Sequence, residues 1–113
     1  MSRGCPFCDG PTDRPVRDWG SVVSFEPLGP VVPGHLLVVP KRHVTDARVD
    51  PAVTADTYRV AALLAREAGE CNLITSVGAA ATQSVFHLHV HVVPRRPSDG
   101  LRLPWVDDGR INS

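Results

Sequence analysis

A chain of 113 residues with twelve basic and twelve acidic side chains has room for one real core and no net electrostatic pull toward a nucleic-acid polymer or an anionic membrane. Its apolar runs fall short of the roughly 18 residues a membrane span needs, and MSRGCPFCDG lacks the apolar centre of a secretion signal. A single domain over residues 1–113, located in the cytoplasm, is therefore expected, and three cysteines, an odd number, argue against a disulfide framework.

In chain order, Cys5-Pro6-Phe7-Cys8 comes first. Two cysteines separated by two residues suggest a redox pair or half of a tetrahedral zinc site. A redox pair is expected between a strand and a helix, a setting this segment lacks. Zinc would need two further ligands, with histidines the candidates. Val22–Phe25 and His35–Val39 are β-rich runs bounded by Pro and Gly, which predicts two strands in a hairpin-like pair across residues 26–34. Asp50-Pro51 reads as an N-cap followed by proline at the first helical position, and Val53, Thr57, Val60, Ala61, Leu64 and Ala68 recur at helical spacing. Gly69 stops that helix, expected over about 51–69. Cys71 reads as a small buried hydrophobe, Leu73-Ile74-Thr75 as a strand, and Ala79 to Thr82 as a small-residue loop, with a short second helix allowed for but not located in the chain. The tail from Pro97, rich in Pro, Gly and Asp, reads as irregular.

Between these lies VFHLHVHVVPRR, residues 85–96, in which His87, His89 and His91 alternate with apolar residues. The period of two predicts a strand over 84–93 with the three imidazoles on one face, about 7 Å apart, and Phe86, Leu88, Val90 and Val92 on the other, toward the core. Such a row can bind metal, transfer protons or supply a nucleophile, and spacing does not choose between them. A half-exposed strand with solvated histidines is the plain alternative.

Residues 83–93, QSVFHLHVHVV, resemble the signature of the histidine-triad (HIT) family, and residues 33–43, PGHLLVVPKRH, resemble its second block. The likeness spans roughly residues 5–105, with a weaker match at Asp99-Gly100-Leu101 and Leu103-Pro104-Trp105. It implies an α+β fold, an antiparallel sheet of about five strands with helices packed on it, and a homodimer. It also implies a nucleotide hydrolase or transferase acting at the α-phosphorus of a nucleoside phosphoramidate, dinucleoside polyphosphate or nucleotide sugar, without a catalytic metal. By the same resemblance His89 is the nucleophile, His91 and His35 contact phosphate oxygens, and Gln83 and Ser84 hydrogen-bond the phosphate or the bridging atom. A structural zinc is implied on Cys5, Cys8, His43 and His87.

Three positions depart from the family pattern. Ser76 stands where relatives often have asparagine, Thr82 where glycine is usual, and Glu26-Pro27 where a ribose-binding aspartate is common one residue later. Glu26 is a candidate substitute, while Phe25 and Trp19 could line a base pocket, with core packing the better reading for both. Ser76 and Thr82 motivate a competing expectation, a non-catalytic nucleotide-binding protein. A redox protein using Cys5 and Cys8 is a third, separable from the others by metal analysis.

Overall fold

In the computed structural model, residues 5–8 and 10–103 are described, together with the backbones of 106–107 and 110–111. The strands are β1 (Val16–Asp18), β2 (Val22–Phe25), β3 (Leu36–Pro40), β4 (Cys71–Ile74), β5 (Val90–Pro94), β6 (Val106–Asp107) and β7 (Arg110–Ile111), and the helix is α1 (Pro51–Ala68). The first five strands form one antiparallel sheet in the order β1-β2-β3-β5-β4. The fold is α+β, as expected.

Helix α1 starts where Asp50 accepts hydrogen bonds from the backbone N–H of Ala52 and Val53, at 3.1 and 3.4 Å, with Pro51 in the first turn. A cap of this kind contributes about 1 kcal/mol. Gly69, at φ 86°, ends the helix by donating to the Ala65 carbonyl at 2.9 Å. Thr57, Val60, Ala61 and Leu64 face inward, and Thr57 is buried without penalty because its hydroxyl donates to the Val53 carbonyl at 2.8 Å.

Both faces of the sheet carry buried apolar side chains, which is why β3 reads as a continuous hydrophobic run. Val22, Val38, Val90 and Val92 meet α1, with Trp19 and Cys71 packed beside them. The opposite face carries Val23, Phe25, Leu37 and Val39, and Phe7 from the N-terminal segment packs against it. In β5, pleating that turns Val90 and Val92 to the helix turns His91 to the second face, opposite Leu37 in β3 and Ile74 in β4.

The structure departs from the sequence reading at five points. The β5 ladder begins at Val90, so His87 and His89 precede it. The chain there bends over residues 85–87 and follows the loop after β3, with the Leu88 N–H donating to the Val44 carbonyl at 2.8 Å. Phe86, expected in the core, is exposed, because no neighbouring strand covers that end of the segment. Strand β1 was not predicted; its Val-Arg-Asp is exposed throughout and lacks the alternation that marks a half-buried strand. In the tail, β6 and β7 pair antiparallel, and the Asp-Gly dipeptide between them in the sequence is a hairpin signal. Ala79–Ala81, read as loop, forms a single 3-10 turn, and α1 is the one α-helix among the described residues.

Thr82, which follows that turn, has φ 72°, in the left-handed region. A side chain with a Cβ there costs roughly 1–2 kcal/mol, against roughly 0.5–1 kcal/mol for the extra freedom glycine brings to the unfolded chain. Thr82→Gly is expected to stabilise the protein by about 0.5–1 kcal/mol, read as a higher urea midpoint. An unchanged or lower midpoint would show that Thr82 is not strained.

Candidate active site and metal centre

Three histidines from two strand ends meet on the helix-free face. His89 and His91 have ring centroids 5.2 Å apart, and so do His91 and His35, the latter placed just before β3. Their hydrogen bonds fix the tautomers. The Val31 N–H reaches His35 Nδ1 at 3.1 Å, and a backbone N–H can only donate, so this nitrogen holds a lone pair. His35 Nε2–H therefore donates to His91 Nδ1 at 2.9 Å, which leaves the His91 proton on Nε2. His89 has the opposite arrangement: Nδ1–H donates to the His87 carbonyl at 2.7 Å, leaving Nε2 with a lone pair. The side chain of Thr75 donates to the His89 carbonyl at 2.8 Å and holds the backbone there.

Burial favours the neutral form of His35 and His91. It pushes His35 below the usual imidazole range, against a weak opposing pull from Glu26, and it pushes His91 down to about 4, with His89 and His35 adding to the effect. A neutral His91 in the fold and a protonated one in the unfolded chain make stability depend on pH. The contribution is complete above about 6.5 and is lost as pH falls toward 4, by at most about 3 kcal/mol. His91→Asn keeps an acceptor for His35 but cannot titrate, so its denaturation midpoint is expected to fall less than wild type between pH 6.5 and 4.5. Parallel midpoints would mean that His91 does not carry this acid sensitivity. Loss of metal at low pH affects both proteins and cancels in the comparison.

On the other side of His89, Cys5, Cys8, His43 and His87 bring four donor atoms within 4.8 Å of one another. The separations are 3.3 Å from Cys5 Sγ to His87 Nδ1, 3.2 Å from Cys8 Sγ to His43 Nδ1, 3.6 Å from Cys8 Sγ to His87 Nδ1, and 3.0 Å between the two Nδ1 atoms. Zinc bonds of about 2.3 Å to sulfur and about 2.0–2.1 Å to nitrogen would set tetrahedral neighbours about 3.3–3.8 Å apart, so the residues fit that ion. His87 is fully buried and its Nε2–H donates to the Pro40 carbonyl at 2.8 Å, which turns the Nδ1 lone pair toward the cysteines.

A profile of the HIT domain matches residues 13–98. The chain belongs to the HIT family. An uncharacterised HIT-like protein of Mycobacterium tuberculosis is 35% identical over 111 residues, covering 88% of this chain and 76% of the relative. A zinc-bound histidine triad family protein from Mycobacterium smegmatis has a fold similar at a TM-score of 0.75 and is 36% identical, covering 88% of this chain and 80% of its own. Similarity extends to an adenylylsulfatase of Arabidopsis thaliana, 35% identical over 70% of this chain, and to an asymmetrical bis(5'-nucleosyl)-tetraphosphatase of Schizosaccharomyces pombe, 32% identical over 67%. These two alignments cover 42% and 46% of the enzymes' own lengths.

Within this HIT fold the remaining candidates separate. Ser76 joins His35 and His91 in the wall of a cavity of about 290 Å³. Arg95, in the same wall, holds Asn72 at 2.6 Å and Asp99 at 2.8 Å, and Asp99 also accepts from the backbone N–H of Arg96 and Leu101. This ion pair keeps the Asp99 carboxyl far below its usual range and pins the segment that follows β5. Pro104 and Trp105 of the weaker sequence match lie outside the described residues. Glu26 is exposed and lines a different cleft, with Ser24, Leu36, Leu64 and Glu67. Phe25 is buried in the second core, and Trp19 packs on the first while its Nε1–H donates to Ser24 Oγ at 3.0 Å.

Gln83, expected at the phosphate, spends its amide on the protein. Its Oε1 accepts from the Gly78 N–H at 2.8 Å, and its Nε2 donates to the carbonyls of Thr45 and Val85 at 2.8 and 3.0 Å. Its place in the HIT motif is thus matched here by a staple between two loops. Ser84 is exposed beside it. The residue that sequence reasoning passed over is Phe7, whose ring stands 5.0 Å from that of His89. Its position between two candidate ligands was the available signal.

Proposed function

We propose that this HIT domain transfers the nucleotidyl group of a nucleoside phosphoramidate, dinucleoside polyphosphate or nucleotide sugar to water or another acceptor, through a covalent intermediate on His89. The observation that carries the reading is the pair of opposite tautomers, an Nε2 lone pair on His89 beside an Nε2–H on His91. His89 Nε2 attacks the α-phosphorus, the new P–N bond forms as the bond to the leaving group breaks, and water then displaces histidine to release the nucleoside monophosphate. His91 donates to a phosphate oxygen as negative charge gathers there. His35, with both nitrogens engaged, acts through His91 by holding its ring and tautomer. Ser76, in the cavity wall beside His35 and His91, and the exposed Ser84 would hydrogen-bond the phosphate or the leaving group, and Gln83 acts by fixing the loop.

Cys5, Cys8, His43 and His87 would hold zinc, a closed four-ligand set whose contribution is a crosslink between the N-terminal segment and the catalytic one. The outer edge of β4 has no strand partner among the described residues, which is compatible with a homodimer joined there. The test is a single-turnover reaction with an adenosine phosphoramidate, stopped in alkali, followed by mass analysis of the peptide containing His89. A nucleotidyl adduct that forms and decays at the rate of turnover is expected. Binding of nucleoside monophosphate with neither adduct nor turnover would instead establish the non-catalytic alternative.

A further inference from the structure

Phe7 sits between the two cysteines, on a turn closed by the Cys8 N–H to the Cys5 carbonyl at 3.4 Å. Its ring meets His89 edge to face at 5.0 Å and 73°, Phe25 at 5.8 Å and 60°, and His87 at 6.2 Å and 76°. The His89 ring is thereby flanked by Phe7 and His91, while among the described residues its one polar restraint is the bond from Nδ1 to the His87 carbonyl. That bond limits how the ring turns but leaves its tilt to the neighbours. Among the described residues, the only polar contacts tying 5–8 to the rest of the chain run through the two thiols, to His43 and His87. Without them Phe7 is held by apolar packing alone.

We infer that Phe7 is a positioning residue for His89 and that metal at Cys5, Cys8, His43 and His87 is what holds it in place, so that metal occupancy is transmitted to the nucleophile through one aromatic ring. The inference rests on the reading of His89 as nucleophile only for its catalytic consequence; the coupling itself is a property of the fold. A misplacement of the order of 1 Å in a reacting group can cost about a hundredfold in rate, and a lost aromatic wall permits that much.

The experiment follows the imidazole Hε1 signals by NMR at one fixed pH, assigned with single His→Gln variants. It compares zinc-loaded wild type, zinc-loaded Phe7→Ala, zinc-loaded Phe7→Tyr and chelator-treated wild type. The His89 signal is expected to lose its aromatic ring shift in Phe7→Ala and in the chelated protein alike, to keep it in Phe7→Tyr, and to move without the His35 and His91 signals. Phe7→Ala should retain stoichiometric zinc while kcat falls about tenfold or more and KM changes little. A His89 signal unchanged in Phe7→Ala, or unchanged on chelation, overturns the inference. So does collapse of the His35 and His91 signals together with His89 on chelation, since metal would then be holding the whole sheet. Absence of nucleotidyl transfer in every sample would refute the proposed function while leaving the NMR result to decide the coupling.

Discussion

His89→Gly is expected to reduce kcat/KM by roughly four orders of magnitude or more, with zinc content and fold retained. The expected size follows from the role: the variant cannot form the P–N bond, so only binding and charge stabilisation remain. The side chain is half-buried, not a core anchor, and its one hydrogen bond ends on a carbonyl that water can serve, so stability should change little. His91→Asn is the informative companion. It keeps an acceptor for His35 but loses the Nε2–H, and a loss of about a hundred- to a thousandfold, mainly in kcat, is expected from removing one donor to developing charge. Steady-state kinetics on a phosphoramidate, beside metal analysis and circular dichroism, tests both. Activity of His89→Gly within tenfold of wild type would sink the mechanism.

Removing metal is expected to have the largest effect on stability. An ion bound at a hundred to a thousand times its dissociation constant stabilises the fold by about 2.7–4.1 kcal/mol, a large share of what a domain of this size has. Chelation should therefore lower the melting temperature by on the order of 10 °C or more. Cys8→Ser should melt near the chelated wild type and respond little to chelator itself. His87→Ala is predicted to be worse than either, because it also empties a fully buried site and leaves the Pro40 carbonyl without its donor. Differential scanning calorimetry with metal analysis decides this; purified protein without zinc, and a melting temperature indifferent to chelator, would remove the metal centre from the account.

Much of this was legible in the chain because it rests on local chemistry. Asp50-Pro51 and Gly69 set the ends of α1 by capping, and the apolar spacing set its buried face. Proline and glycine boundaries located β2 and β3, and alternation put His91 on the face opposite the helix-packed valines. The residues resembling the HIT signature also pointed to the two groups of side chains that the fold gathers. Less legible was anything set by a distant partner. The alternating pattern ran through His87 and His89, but the ladder stops at Val90 because Leu88 bonds to Val44, 44 positions earlier. Gln83 has the right chemistry for phosphate, and only its bond to Thr45, beside those to Gly78 and Val85 of its own loop, reveals a staple.

By itself, then, the sequence determined α1, the strands around Val22–Phe25 and Leu36–Pro40, the two chemically different faces of β5 and the inventory of imidazoles and thiols, since these follow from capping, period and side-chain chemistry. Tertiary structure alone decided which nitrogen of each imidazole carries the proton, that His35 works through His91, and that Phe7 lies against His89. The His89 proton is set by a neighbour two residues away, but the His35–His91 bond and the Phe7–His89 contact join segments 56 and 82 residues apart, and no local preference encodes a direction across that distance.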